Sequence, residues 1–209
     1  WLWLYAHAAA FESGAASREV LQEFGVACEV LNAPSLQELE PHLASAFSHA
    51  LWVKDAASVD NPRAVVKAYA KQFLEGGGHI VQAQVRVIQQ QPNGWQWVSP
   101  EGSVHWTPNL VMALGPWSES LLEASKLSST FKANMGFERG YHRHFQALEG
   151  VRLGRPIYDL SGAYVLSPMK DEQGADILRM TTGVELAARD EGPNLQQLES
   201  AENAARRVL

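Results

Sequence analysis

The sequence has one cysteine, few cations and no long apolar run, and each shortage excludes a class of protein. Because Cys28 is the only cysteine among 209 residues, neither an intrachain disulfide nor a cysteine-based zinc site can form. The net charge of −6 argues against a phosphate-binding surface, because nucleic-acid affinity comes mainly from clustered Lys and Arg. We therefore expect no nucleic-acid partner and a cytoplasmic location.

The opening segment WLWLYAHAAAF is apolar, but it is too short to cross a bilayer and lacks a basic flank. The spacing of Leu4, Ala8 and Phe11 predicts a helix from residue 1 to about residue 24, where Gly25 is a stop signal. Since the chain starts at Trp1 directly in apolar sequence, we expect an excerpt of a longer protein. We expect no integral membrane segment and leave peripheral membrane contact open.

The next segments alternate between short strands and helices. Strands are predicted at residues 26–31 and 50–54, and between them APSLQELEPHL predicts a brief helix with Ser35 as N-cap and Glu38 completing a capping box. RAVVKAYAKQFLE places its apolar residues on one helical face, and the three glycines that follow end this helix.

After these glycines the apolar period changes from that of a helix to two. The alternation predicts a strand at residues 80–86, a hairpin through Trp95 and Trp97, and a buried strand in NLVMALG. A helix should follow over residues 118–127, with Ser118 as its N-cap and Glu119 in its first turn. GPWSES lacks the Gly-x-Ser-x-Gly pattern of a nucleophile elbow, so a hydrolase is only a minor alternative.

Strands dominate the C-terminal part. RGYHRHFQA, AYVLSPM and ILRMTTGVELA are predicted strands, and the last stretch predicts an amphipathic helix with Leu195, Leu198, Ala201 and Leu209 on one side. The fold class is therefore α+β, mixed α/β, with a helical and parallel-strand half followed by an antiparallel half. Ligand pockets tend to lie between such layers.

The strand FERGYHRHF carries the densest set of chemical side chains. Neighbouring residues of a strand point to opposite faces, so Tyr141 and His142 are rival candidates for a pocket wall. His142 and His144 share a face and could bind a metal with His105 or Glu138. The chain has no helical histidine pair of the metalloprotease type and no cysteine support, so we expect no metal.

Four segments, in order along the chain, resemble the family of FAD-dependent D-amino-acid oxidases and dehydrogenases, which includes glycine and sarcosine oxidases. They are DAASVDNPRAVVKAYAKQFLEGGGHI, NLVMALGPWS, ERGYH and YVLSPMKDEQGADILRMTTGVELA. The resemblance covers most of the chain from about residue 26. It implies the middle portion of the family fold: an antiparallel-sheet substrate domain at residues 1–61 and 123–209, and part of an FAD-binding domain at residues 62–122.

Two features depart from the family. The Gly-x-Gly-x-x-Gly turn that binds the FAD pyrophosphate is absent, and GGGH ends a helix instead of opening one. Pro116 stands where the family usually has alanine, which removes one backbone donor near the cofactor. Whether this chain alone holds FAD is thus left open, and further chain segments or a homo-oligomer are alternatives that would complete the site.

The resemblance implies an enzyme that moves a hydride from the Cα of a D-amino acid or related amine to FAD, with cofactor contacts at Gly115, Pro116 and Trp117. Arg179 is the candidate for binding the substrate carboxylate, because a guanidinium binds it through two parallel hydrogen bonds. The alternative is a solvent-facing arginine at a sheet edge. Tyr141, His142 or Tyr164 would complete the pocket, although Tyr164 could instead be a core residue. A substrate-binding domain or subunit without activity is the second interpretation.

Overall fold

The structure is a computed structural model that describes residues 1–131, 135–147, 149–188 and 190–208. The chain forms two compact units: Trp1–Lys67 with Arg139–Glu185 and Glu191–Leu209, and Ala68–Glu138 with Leu186–Asp190. The elements, in chain order, are β1 (Leu2–Tyr5), α1 (Ala8–Ser13), α2 (Ala15–Glu23), β2 (Cys28–Asn32), α3 (Ala33–Leu39), β3 (His49–Val53), α4 (Pro62–Glu75), β4 (Ile88–Gln91), β5 (Gly94–Val98), β6 (Val104–Thr107), α5 (Ser118–Ala124), β7 (Glu138–Gln146), β8 (Ile157–Asp159), β9 (Tyr164–Lys170), β10 (Asp176–Leu186) and α6 (Gln196–Ala205).

A seven-stranded sheet with the order β2-β3-β1-β8-β9-β10-β7 forms the frame of the first unit. Among the pairs with a described register, β1 and β8 run parallel, and the other four pairs are antiparallel. The α+β class and the mostly antiparallel sheet are confirmed. The predicted division into a parallel and an antiparallel half is wrong, because β1 to β3 belong to the same sheet as β8 to β10.

The two faces of this sheet are covered unequally. The main core lies on one face, where side chains from β1, β9 and β10 pack against α3 and α6; its fully buried members include Leu4, Tyr164, Leu166 and Met180. On the other face, a smaller cluster around Tyr5, Leu51 and Val53 packs with residues of α1 and α2. Helices α1 and α2 thus cover the β1–β3 part of the second face.

The predicted helix at the start of the chain is wrong for its first residues, which form β1. Leu2, Leu4 and Tyr5 are all buried because β1 lies in the middle of the sheet, between β3 and β8. A strand covered on both faces is a continuous apolar run, which periodicity cannot distinguish from a buried helix. The prediction is confirmed only beyond this strand, where α1 and α2 follow.

The predicted cap of α3 is also wrong. Asn32 is the N-cap, and its Oδ1 accepts a hydrogen bond from the Ser35 N–H at 3.0 Å. Ser35 therefore lies inside the first turn, three residues after the cap, and Glu38 cannot complete a capping box. Asn and Ser both satisfy helix N-termini, so the pattern allowed two starts that differ by one turn.

The strands predicted at residues 80–86 and in NLVMALG are absent: residues 80–86 and 109–114 are irregular, and Gly115 begins a 3-10 turn. A strand needs a hydrogen-bonded neighbour, and neither segment has one among the described residues. Their apolar side chains are correspondingly exposed; Val111, for example, is 87% exposed. The predicted helix α4 is confirmed, but Val66, Tyr69 and Phe73 on its apolar face are exposed.

The second unit contains a three-stranded antiparallel sheet in the order β4-β5-β6. The predicted hairpin through Trp95 and Trp97 is confirmed as part of it. Trp97 stacks on His105 across β5 and β6, with ring centroids 4.0 Å apart. Stacking across neighbouring strands is a usual source of sheet stability.

Two helix predictions need smaller corrections. Ser118 is the first residue of α5 and not its N-cap, because Trp117 occupies that position without a side-chain hydrogen bond. In α6, Leu198 and Ala201 are buried as predicted, whereas Leu195 is exposed at the N-cap position. Leu209 lies outside the described residues.

Candidate functional site

Arg179 lies on β10, between β9 and β7, and therefore not at the sheet edge. It is directly opposite Ser167 of β9 and is half-buried. Its Nε is buried without a hydrogen-bond partner among the described residues, and within them no carboxylate forms an ion pair with its guanidinium. A half-buried cation without a counterion is a site for an anion, since its desolvation is otherwise uncompensated.

His142 lies near this guanidinium. Burial lowers the pKa of His142, and the positive charge of Arg179 and the neighbouring His144 lower it further. The two imidazole rings are 5.3 Å apart and both are exposed. At neutral pH the lowered pKa favours the uncharged imidazole, which can both donate and accept a hydrogen bond.

A cavity of about 320 Å³ opens beside Arg179. It lies between the ends of β9 and β10, the turn that joins them, and the start of α4. Its lining residues are Asn61, Pro62, Arg63, His144, Met169, Lys170, Asp171, Glu172, Ile177 and Arg179. A volume of this size is at the lower end of small-molecule sites.

Tyr141 lies on the opposite face of β7, against the main core. Its hydroxyl donates to Glu185 Oε2 and accepts from the Asn194 N–H at 2.8 Å. Arg139 lies beside it, 3.5 Å from the same carboxylate, and donates to the carbonyl of Gly192 at 3.0 Å. These hydrogen bonds hold the segment before α6 against β7.

Tyr164 lies in the main core and is 1% exposed. It pairs with Thr182 in the ladder of β9 and β10, whereas Arg179 pairs with Ser167 three positions along β9. The odd offset places the two side chains on opposite faces. Burial raises the pKa of Tyr164, and the nearby Asp159 carboxylate raises it further. The structure thus brings Arg179 and His142 together on one face, and places Tyr141 and Tyr164 on the other.

Gly115, Pro116 and Trp117 form a single 3-10 turn in the second unit. Gly115 has a φ of +55°, and a Cβ at this position would have no heavy atom within 4 Å. Trp117 is 58% exposed and contacts Phe137 edge to face at 5.7 Å. This turn therefore offers an open stretch of backbone beside an exposed indole ring.

A larger cleft of about 880 Å³ lies next to this cavity and is lined by the ends of the sheet strands. Its cationic side chains are already paired: Lys54 with Glu29, Arg155 with Glu40, and both Lys170 and Arg152 with Asp176. We place the candidate site at Arg179, because paired side chains attract an anion less strongly than an unpaired guanidinium.

Two residues of the cavity wall, Met169 and Ile177, were not predicted as site residues from the sequence. Ile177 could have been found by counting two residues back from Arg179 along one face of the strand. Met169 could not, because its position depends on the register of β9 against β10, which pairs it with Ile177. Strand β8, between β1 and β9, was also missed; it has only three residues.

Neither a metal cluster nor a membrane-spanning helix is found in the part of the chain that the structure describes. No group of three His, Cys, Asp or Glu residues there could hold a metal ion. The helices described there are too short or too polar to cross a membrane.

The family model described as "FAD dependent oxidoreductase" matches residues 1–209. A search of curated proteins found no match. Among solved structures, glycine oxidase from Bacillus cereus ATCC 14579 superposes with a TM-score of 0.77 at 18% identity, covering 100% of this chain and 54% of the other. Glycine oxidase from Geobacillus kaustophilus superposes with a TM-score of 0.79 at 15% identity, covering 100% of this chain and 53% of the other. L-proline dehydrogenase from P. horikoshii superposes with a TM-score of 0.76 at 15% identity, covering 99% of this chain and 55% of the other. The chain thus spans about half the length of these structures.

Proposed function

Because the chain belongs to the family of FAD-dependent oxidoreductases, we propose that it supplies the substrate-binding part of an enzyme that oxidises a D-amino acid or a related secondary amine. FAD is the cofactor of this family. Three of the solved structures that superpose on the chain are named for glycine or proline, which supports an amine substrate, whereas another is named for L-α-glycerophosphate. The D configuration rests on the sequence resemblance alone.

The guanidinium of Arg179, which has no ion-pair partner among the described residues, is the observation that carries this proposal. A carboxylate bound there would form two charge-assisted hydrogen bonds and compensate the half-buried charge. It would thereby fix the position of the substrate Cα, which is the main contribution that a protein makes when the cofactor performs the chemical step.

Of the two alternatives for a substrate contact beside Arg179, we propose His142 and not Tyr141. It lies on the face of Arg179, and its uncharged imidazole could accept a hydrogen bond from the substrate amine. The Tyr141 hydroxyl is already bound to Glu185 and Asn194. Tyr164 is a core residue by location, so we assign it a packing role.

The chemistry that FAD would supply when bound is the acceptance of a hydride, with its two electrons, from Cα, which converts the substrate amine to an imine. The amine proton leaves to solvent or to a nearby base, and His142 is the candidate for this acceptor. Water then hydrolyses the imine, giving a 2-oxo acid and ammonia from a primary amine, or an aldehyde and a free amine from a secondary one.

The turn at Gly115 to Trp117 fits contact with a flat cofactor ring. The open space around Gly115 permits close approach of the backbone, and the exposed Trp117 ring could pack against a planar group. Pro116 has no N–H to donate. No residues of this sequence match the glycine-rich turn that would bind the pyrophosphate.

We assign residues 62–122 to an FAD-domain excursion and residues 1–61 and 123–209 to the substrate domain. The segments at 80–86 and 109–115 support this assignment, because their exposed apolar residues lack strand partners among the described residues. The same observation favours the second candidate, a substrate-binding domain without activity of its own. Visible flavin absorbance after addition of FAD distinguishes the two.

Replacement of Arg179 by glutamine tests the role of the guanidinium. Loss of a charge-assisted hydrogen bond costs about 1.5–3 kcal/mol, so we expect KM for the amino acid to rise roughly 10- to 100-fold. Arg152→Gln is the matched control, since Arg152 is on the surface with an 80% exposed side chain. An unchanged KM in Arg179→Gln would refute the proposed carboxylate site.

A further inference from the structure

We infer that an anion bound at Arg179 causes the neighbouring histidine pair, His142 and His144, to take up a proton, so that the site binds carboxylates more tightly in weakly acidic than in alkaline solution. The inference rests on the proposed function, because it takes Arg179 as the group that binds the carboxylate. It adds regulation of that site by pH and a role for His144.

Three side chains that can carry positive charge lie on one face of the sheet. His142 and His144 are two residues apart on β7, so their side chains point to the same face. The centroids of their rings are 5.3 Å apart, and His144 lines the cavity beside Arg179. The positive charge of Arg179 acts on His142 as well. An anion bound to Arg179 would therefore interact electrostatically with both imidazoles.

Without an anion, charging of the pair is opposed. Burial lowers the pKa of His142, and the positive charges of Arg179 and His144 lower it further. Among the described residues, no carboxylate forms an ion pair with either imidazole. The imidazole of His142 is thus mostly uncharged at neutral pH, and a bound anion would supply the negative charge that its protonated form lacks.

The charged groups that the neighbouring elements bring to this cavity are paired with each other. Arg63, at the start of α4, forms an ion pair with Glu172 of the turn between β9 and β10. Lys170, at the end of β9, forms one with Asp176 of β10. These two pairs leave the charge of Arg179 uncompensated.

The remaining charged groups nearby also have other partners or positions. Asp171 Oδ1 accepts hydrogen bonds from two N–H groups of its own turn, at 2.9 and 2.8 Å. On β7 itself, Arg143 points to the opposite face and forms an ion pair with Glu202 of α6, whereas Glu138 shares the face of the histidines but stands at the start of the strand. Only the charges of Arg179 and His144 shift the pKa of His142. None of these carboxylates therefore takes the place of a bound anion.

The sign of the coupling follows from linkage. An anion stabilises the charged form of a nearby imidazole, so the pKa of that imidazole is higher in the bound than in the free protein. Anion affinity therefore rises as the pH falls from above the bound pKa to below the free pKa, by about tenfold for each unit between the two. Both imidazoles are exposed, and solvent screens their charges, so we expect a total gain of about fivefold.

The test measures the affinity for formate, which needs no flavin and remains ionised between about pH 5.5 and pH 8, the range over which an ordinary histidine titrates. NMR titrations that follow the backbone N–H of Arg179 give the dissociation constant at each pH, at constant ionic strength. We expect formate to bind roughly fivefold more tightly at the lower pH. Equal affinities at the two pH values, or weaker binding at the lower one, would overturn the inference.

The double variant His142→Gln with His144→Gln removes both groups that could take up the proton. Its formate affinity should differ by less than about twofold between the two pH values. His79→Gln is the matched control, because His79 is exposed and belongs to the second unit, and it should keep the full pH dependence. An undiminished pH dependence in the double variant, or its loss in the control, would refute the histidine pair as its source.

Arg179→Gln separates this inference from the proposed function. If Arg179→Gln weakens formate binding but the unsubstituted protein binds formate equally at both pH values, the carboxylate site stands and only the coupling fails. If the unsubstituted protein binds no formate, or if Arg179→Gln binds it undiminished, the carboxylate site fails and the inference with it.

Discussion

Replacement of Glu40 by alanine should destabilise the first unit more than any surface substitution of the same type. Glu40 is 2% exposed at the end of α3. Its Oε1 accepts from Arg155 Nη1 at 2.7 Å, and its Oε2 accepts from the Gly154 N–H at 2.8 Å. The carboxylate thereby fastens the segment before β8 to α3.

The magnitude follows from what the substitution leaves behind. Arg155, whose side chain is 27% exposed, would lose its counterion and keep one hydrogen bond, to the Leu39 carbonyl at 3.2 Å. The Gly154 N–H would lose its acceptor. Breaking a buried ion pair costs about 3–5 kcal/mol, and the partial exposure of Arg155 places the expected loss near the lower value, about 3 kcal/mol.

Urea unfolding followed by circular dichroism measures this loss. With a slope of about 2 kcal/mol per molar urea, the midpoint should fall by roughly 1.5 M. Glu29→Ala is the control, because Glu29 pairs with Lys54 at the surface, where both side chains are nearly half exposed. That pair should contribute less than about 1 kcal/mol. Equal midpoints for the two variants would refute the reasoning.

Three further predictions concern the two faces of the sheet and its covering helix. The pKa of His142, followed by NMR, should lie below 6.5 and rise when acetate binds, because the carboxylate offsets the Arg179 charge. Since the pKa of His142 is lower in the folded state, its protonation should reduce stability as the pH falls below 6.5; a His142 pKa above 6.5 would contradict this. Tyr141→Phe should cost about 2 kcal/mol of stability through the lost Glu185 and Asn194 hydrogen bonds and leave acetate affinity unchanged. A drop in acetate affinity at unchanged stability would instead place Tyr141 in the substrate site. Hydrogen bonding from Arg206, with the charge of Arg143, lowers the pKa of Glu202 from its usual 4.5. The ionised Glu202 therefore stabilises the fold above pH 4.5, and this stabilisation is lost as the pH falls through the lowered pKa. Glu202→Gln should therefore flatten the acid side of the stability profile, and an unaltered profile would exclude this contribution.

The C-terminal strands could be predicted from the sequence because each carries its own signals. β7, β9 and β10 alternate between faces and are separated by turns that contain glycine, such as Gly174 with a positive φ. β1 could not be recognised, because a central strand covered on both faces has no alternation. The strands predicted at 80–86 and in NLVMALG show the opposite error, since the pattern is present and the hydrogen-bonded partner is not.

The sequence was enough to propose Arg179 as a site residue, but it did not indicate the geometry around this side chain. Arg179 stands out in the sequence as a lone cation in an apolar strand. Its lack of an ion-pair partner among the described residues depends on contacts between distant segments. The choice between Tyr141 and His142 likewise required the neighbouring strand, because alternation separates two faces without indicating which one holds Arg179.

Anaerobic reduction of the flavin by amino acids tests the central proposal most directly. The protein is saturated with FAD, its visible absorbance is recorded, and D-leucine or L-leucine is mixed in under anaerobic conditions. We predict bands of bound oxidised flavin that D-leucine bleaches, at a rate that falls at least tenfold in Arg179→Gln under limiting substrate. Absence of bound flavin, or bleaching that is equally fast in Arg179→Gln, would contradict the proposal.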